Sequence, residues 1–153
     1  MGQSVKVGDL APNFALFSET GEAVELQDYI GIKPVVLFFY PKDNTTICTK
    51  EACHFRDNFD EFQKINNAEV IGISSDTEES HKQFSEKHKL PFLLLSDPDE
   101  DVRQEYGVPK TLCIFPGRVT YVIDKEGVIR HIFSSQLNYK KHVKEALLAL
   151  KST

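Results

Sequence analysis

The sequence has no Trp, one Met and three Cys among 153 residues. The cysteines are Cys48, Cys53 and Cys113, an odd and low number that excludes an extracellular disulfide framework. Long apolar runs are also missing. The longest is Val35–Tyr40, far short of the roughly 20 residues a membrane helix needs. Positive charge is not in excess. Lys and Arg number 18 against 23 Asp and Glu, for a net charge of −5, which excludes a basic nucleic-acid or anionic-membrane footprint. Gly and Pro are too few for a collagen-like or disordered chain, and there is no repeat or low-complexity tract. The opening Met1–Lys6 lacks the apolar core of a secretory signal. What is present is an ordinary globular composition, 41% hydrophobic and 27% charged, in a length that suits one domain spanning 1–153. A chain of this size buries roughly 68–70% of its unfolded surface and needs no disulfide or metal to hold a core. The expectation is a soluble protein of a reducing compartment, cytoplasmic, or of an organelle stroma if a transit peptide has been removed.

Periodicity orders the elements. Phe14–Phe17 and Ala23–Leu26 flank a Gly-containing turn and read as an N-terminal hairpin. Pro34–Tyr40 is apolar without alternation, the pattern of a strand buried on both faces. After a polar loop, Ala52, Phe55, Phe59, Phe62 and Ile65 form one apolar stripe, predicting a helix from about 47 to 65. Val70–Ile73 is a second buried strand. Asp76 and Glu79 resemble a capping box for a helix near 77–88. Phe92–Leu95 is a third strand, and Asp97-Pro98-Asp99-Glu100 opens a helix that ends before Gly107. Val119–Ile123 and Val128–Phe133 bracket Asp124–Gly127 as a second hairpin, and Asn138 caps a last helix. Alternating buried strands and helices imply right-handed parallel crossovers. The predicted class is α/β: a thioredoxin-like layout with a central mixed sheet, helices on both faces and a hairpin at each end.

Cys48 follows the buried strand and falls in the first turn of the long helix, with Thr45 or Thr46 as N-cap. Free N–H groups and the helix dipole there favour an anion, and the thiolate is the nucleophilic form of cysteine. By position alone Cys48 is equally a small buried hydrophobe, four residues before Ala52 on the stripe. Cys53 is five residues on, roughly 500° and 7.5 Å along an ideal helix. The two Cα atoms then lie roughly 8.6 Å apart, beyond the ~7 Å a disulfide tolerates. A bond between them requires the start of the helix to unwind. Cys113, in the apolar run Leu112–Phe115, reads as a packed thiol.

Pro41-Lys42-Asp43-Asn44-Thr45-Thr46-Ile47-Cys48 matches the Pro-x-x-x-Thr-x-x-Cys signature of peroxiredoxins. The wider stretch from Phe39 to Asp57 resembles the Q type of that family, also called bacterioferritin comigratory protein. The resemblance continues through Gly8–Phe14, Ile71–Ser74, Leu95–Asp97 and Gly117–Gly127, so it covers essentially the whole chain. One departure stands out. The family usually has Pro-Gly before the reactive cysteine, where this chain has Thr46-Ile47.

The resemblance implies a thiol-dependent peroxidase, acting on hydrogen peroxide and organic hydroperoxides in antioxidant defence. It casts Cys48 as the peroxidatic cysteine, which becomes a sulfenic acid, and Cys53 as the resolving cysteine that closes an intramolecular disulfide. Thr45 supplies a hydroxyl, Arg118 supplies guanidinium donors, Pro41 walls the pocket and Glu51 orients an arginine. A thioredoxin or glutaredoxin-like reductant restores the thiols. No cofactor or metal is implied, and the expected state is a monomer. Without the motif, Arg118 and Glu51 read as solvated charges. Two other readings compete. A thioredoxin-fold copper carrier would use the cysteine pair with His131, but wants Cys-x-x-x-Cys; a dithiol reductase wants Cys-x-x-Cys. Neither spacing is present.

Overall fold

Gly21 sits at φ +85°, a left-handed conformation that suits the turn between β1 (Ala15–Ser18) and β2 (Ala23–Glu25). The two strands pair antiparallel as the predicted N-terminal hairpin. The computed structural model describes residues 5–111 and 115–153, so Cys113 lies outside the described residues. The apolar run becomes β3 (Val35–Phe39), buried at every position. There follow α1 (Thr46–Asp57), α2 (Phe59–Gln63), β4 (Glu69–Ser74), α3 (Glu78–His88), β5 (Leu93–Ser96) and α4 (Asp101–Tyr106). A short ladder of β6 (Lys110–Thr111) and β7 (Phe115–Pro116) precedes β8 (Val119–Ile123), β9 (Ile129–Ser134) and α5 (Tyr139–Lys151).

Seven strands form one mixed sheet in the order β2-β1-β5-β4-β3-β8-β9. β3, β4 and β5 run parallel, and the hairpins add antiparallel strands at each side. This is the thioredoxin-like architecture expected. The alternation of β3 divides the core. Val35, Leu37 and Phe39 face one layer with Val102 and Tyr106 of α4. Val36, Phe38 and Tyr40 face the other, against Cys48, Ala52 and Phe55 of α1, Phe84 of α3, and Val143 and Ala146 of α5. The Phe38 and Phe55 rings stack at 4.4 Å between centroids. Each such fully buried ring contributes about 1.5–3 kcal/mol, so α1 is held to the sheet mainly by its C-terminal half, through Ala52 and Phe55.

Three local expectations need correction. The helix over 47–65 is two helices. Asn58 interrupts it with φ −108° and ψ 9°, and its side-chain amide donates to the His54 carbonyl at 2.8 Å. An amide that bonds nearby backbone competes with helix continuation, while Phe62 still reaches the same core as Phe55. The helix after Asp76 is capped by Thr77, whose hydroxyl accepts from Ser80 N at 3.1 Å. Asp76 instead binds Ser74 Oγ at 2.6 Å and Asp43 N at 2.7 Å. The helix expected from Asp97 starts only at Asp101. Asp97 nevertheless caps it from a distance, accepting from Val102 N and Arg103 N. Asn138 caps α5 as expected, through Lys141 N at 3.2 Å.

Candidate active site

Pro41 has no N–H, and the β3–β8 ladder stops two residues earlier, at the pair Phe39 and Val119. The chain leaves the sheet there and forms the loop that leads to α1. Asp43 fastens this loop. Its Oδ1 accepts from Tyr40 OH at 2.6 Å, its Oδ2 accepts from Ser80 Oγ at 2.8 Å and contacts His81 Nδ1 at 2.7 Å, and its N–H donates to Asp76 Oδ2 at 2.7 Å. His81 Nε2 meets the Leu95 carbonyl at 3.1 Å. Asp43, Asp76 and His81 bring ligand-type atoms within 4.8 Å of one another, but each of the three is already engaged by these internal bonds.

Thr45 is the N-cap of α1 with extended backbone angles. Its hydroxyl does not cap the helix. It donates to the Lys42 carbonyl at 2.9 Å, which leaves it only acceptor lone pairs for a further partner. Cys48 therefore occupies the first turn of α1, and Ala52 and Phe55 below it are packed in the core. The thiol is 1% exposed.

Arg118, one residue before β8, spreads its guanidinium over three partners. Nη2 donates to Cys48 Sγ at 3.3 Å, Nη1 to Glu51 Oε1 at 2.7 Å, and Nε to the Gln136 carbonyl at 2.9 Å. Burial opposes the guanidinium's charge, but Glu51 and Cys48 beside it push its pKa above the ordinary value. A fixed cation touching the sulfur favours negative charge there. Glu51 is fully buried, not the solvated helix charge its position alone suggested. Burial raises its carboxyl to about 7, against the opposing pull of Arg118. Among the described residues Glu51 Oε2 has no hydrogen-bond partner, and His142 Nδ1 lies 3.7 Å away. His142 Nε2 faces the Ser135 carbonyl at 2.8 Å, so that nitrogen carries the hydrogen and Nδ1 accepts from Thr120 Oγ1 at 2.8 Å. Burial lowers His142 to about 4, with the Ser135 bond opposing the shift and Arg118 adding to it.

Four of the residues singled out in the sequence, Pro41, Thr45, Cys48 and Arg118, line one pocket of ≈ 320 Å³ whose rim carries Ile47, Pro116 and Leu137. Glu51 stands behind Arg118. Cys53 does not join them. It lies half-buried further along the continuous helix, and both it and Cys48 are free thiols. A larger cleft of ≈ 620 Å³, between Ile32, Asp124, Arg130 and Thr153, contains no nucleophilic thiol. His131, the histidine that the copper reading would add to the cysteine pair, meets Glu145 at 3.0 Å. Sequence reasoning missed His142 and Thr120 behind Glu51, and Asp43 and His81 beneath the loop. No fixed spacing signals them, because each meets its partner only through the fold.

The AhpC/TSA family matches residues 7–132. The chain is 51% identical to peroxiredoxin Q, chloroplastic, of Oryza sativa subsp. japonica over 97% of its own length and 68% of the relative's. To the protein of the same name in Sedum lineare it is 49% identical over 97% of this chain and 79% of that one. Among solved structures, peroxidoxin BcpB from Mycobacterium tuberculosis superposes with a TM-score of 0.88 at 36% identity, covering 96% of this chain and 97% of that one. Xanthomonas campestris peroxiredoxin Q superposes at 0.83 and 29% identity, over 91% and 90% of the two chains. The chain belongs to the AhpC/TSA family and is a thiol-based peroxidase of the Q-type peroxiredoxins.

Proposed function

We propose that Cys48 reduces hydrogen peroxide and organic hydroperoxides and that Cys53 resolves the product. The observation that carries this reading is the 3.3 Å contact from Arg118 Nη2 to Cys48 Sγ at the base of the pocket. The Cys48 thiolate attacks one peroxide oxygen. The S–O bond forms, the O–O bond breaks, and the second oxygen leaves with the bonding pair and takes up the proton that Cys48 released on ionising, as water or alcohol. Negative charge builds on both oxygens in the transition state. Arg118 supplies the donors, the Thr45 hydroxyl, whose hydrogen goes to the Lys42 carbonyl, accepts the hydrogen of the incoming peroxide, and Glu51 orients Arg118. Pro41 limits water at the sulfur, and the apolar rim of Ile47 and Leu137 accommodates an alkyl group.

Cys53 then attacks the sulfenic sulfur, the S–S bond forms and water leaves. Both cysteines lie in the intact α1, so the first turns must unwind for this step. A dithiol protein of the thioredoxin or glutaredoxin kind restores both thiols by exchange, without a cofactor. The resolving pair sits within one chain, which supports action as a monomer. A reducing compartment suits the cycle; the rice and Sedum relatives are chloroplastic, and no helix among the described residues is long and apolar enough to cross a membrane. The activity serves antioxidant defence and redox homeostasis.

The test is NADPH consumption with thioredoxin, its reductase and several peroxides. Wild type turns over, and Cys48→Ser does not. Peroxide turnover by Cys48→Ser would remove the reading.

A further inference from the structure

Arg103, on α4, lies outside every motif of the sequence. It is 2% exposed, and a buried guanidinium must find acceptors. It finds two backbone carbonyls: Nη2 donates to Tyr40 O at 2.6 Å and Nη1 to Gly117 O at 2.7 Å. Tyr40 immediately precedes Pro41, and Gly117 immediately precedes Arg118. These residues lie just past Phe39 and Val119, where the β3–β8 ladder ends. One planar fork thus joins the two chain segments that leave the sheet toward the pocket, beyond the last rung that backbone pairing supplies.

The fork is itself fixed. The Arg103 N–H donates to Asp97 Oδ2 at 3.0 Å, the guanidinium carbon sits 5.8 Å from the centre of the Phe39 ring, and Glu100 Oε2 lies 4.0 Å from Nε. Gly117 is packed so closely that a Cβ there would run into the Pro109 carbonyl oxygen, which holds the second carbonyl in place. Burial lowers the Arg103 pKa, with Glu100 and Asp97 foremost among the charges that oppose the shift. A lysine would present one point charge and could not span two carbonyls in this geometry.

We infer that Arg103 is a positioning residue for peroxide reduction: by bridging Tyr40 O and Gly117 O it sets the spacing between the Pro41–Cys48 wall and Arg118. Two-point stabilisation of a peroxide depends on that spacing. A displacement of about 1 Å in such a site is enough to slow chemistry about 100-fold. Resolution by Cys53 follows unwinding of α1 and does not use the spacing. Arg103 thus acts on the first chemical step and spares the second.

The inference rests on Cys48 being the attacked sulfur. The experiment compares Arg103→Lys, Arg103→Met and Glu100→Gln by stopped flow with hydrogen peroxide, each normalised to titrated Cys48. Two rates are read separately: oxidation of Cys48, and closure of the Cys48–Cys53 disulfide. The Arg103 variants slow oxidation at least about 10-fold per active site, while disulfide closure stays within about twofold of wild type. Glu100→Gln, which weakens the outer 4.0 Å ion pairs to Arg103 and Lys110 but leaves both carbonyl bonds of Arg103 in place, changes neither. If Arg103→Met does not fold, Arg103→Gln, which keeps a donor, reads the same two rates. Unchanged oxidation per active site overturns the inference. So does a proportional fall in both rates, which marks a general loosening of the fold. Oxidation of Cys48→Ser by peroxide would instead remove the underlying reading, whatever Arg103 does.

Discussion

Cys48 and Cys53 share one helix but not one environment. Cys48 is buried in the first turn of α1, touches Arg118 and stands above Ala52 and Phe55, which are packed against the sheet. Cys53 is half-buried, with Lys50 and Arg56 one helical turn to either side, and no hydrogen bond among the described residues engages its sulfur. The first sulfur is held ready for a small molecule. The second is kept away from it by the same helix. In the proposed cycle, chemistry with peroxide proceeds in the folded site, and chemistry between the two sulfurs proceeds only when part of that site is given up.

The largest effects should fall on the folded half of this contrast. Cys48→Ser abolishes peroxide consumption. Arg118→Met, which removes the donor to sulfur and leaves Glu51 buried without its partner, lowers the rate of Cys48 oxidation by about 100-fold or more. Stopped-flow oxidation under excess peroxide reads this, and a loss below about threefold would show that the guanidinium is not part of the reaction. Cys53→Ser acts on the other half. One turnover per chain proceeds at the wild-type rate and leaves a sulfenic acid, while steady turnover with thioredoxin collapses. Mass spectrometry of Cys48 after one equivalent of peroxide distinguishes the two species.

Thr46-Ile47 lies at the hinge between the halves. Thr46→Pro places a residue with φ fixed near −65° in the first turn of α1 and stiffens the loop that leads into it. Peroxide oxidation should be nearly unchanged and disulfide closure slower by a few-fold, measured as the decay of the sulfenic species. Faster closure would mean that Thr46 is not what lets the turn open.

The smallest effects concern the buried pair behind the site. Glu51 titrates at about 7 in the folded protein, raised by burial from 4.5. Between these values the folded state binds more protons than the unfolded one, so the Glu51 contribution to stability declines as pH rises, by about 3 kcal/mol in all. His142 is lowered from 6.5 to about 4 and has the opposite sign: its contribution falls as pH drops through that window, by a similar amount. Over pH 4.5 to 6.5 the two oppose each other. Relative to wild type, Glu51→Gln should gain stability as pH rises through this range, and His142→Asn should lose it. Urea unfolding at several pH values checks both slopes, and parallel curves for all three proteins would contradict the assignment.

Much of this site could be read from residues alone, and the reason is local. Pro34–Tyr40 shows burial on both faces because parallel strands are covered twice, and the position of Cys48 after that strand and at a helix start makes it a candidate that the motif around it then singles out. Arg118 was legible only through the family motif around it. Asn58 was overlooked because the apolar stripe continues past it into α2 while the backbone does not. Asp76 fits a capping box in sequence, but the Asp43 loop competes for its carboxylate. Arg103 and His142 carry no signal at all in one dimension, since their partners lie on other elements of the fold.

The central claim is that one helix holds the two sulfurs apart until it partly unwinds. The direct measurement treats reduced protein with one equivalent of hydrogen peroxide, maps the cysteines by mass spectrometry and records far-UV circular dichroism before and after. The account predicts a Cys48–Cys53 disulfide formed together with a loss of helical signal that dithiothreitol reverses. A product joining Cys48 to Cys113, or a Cys48–Cys53 bond with the helical signal unchanged, would contradict it.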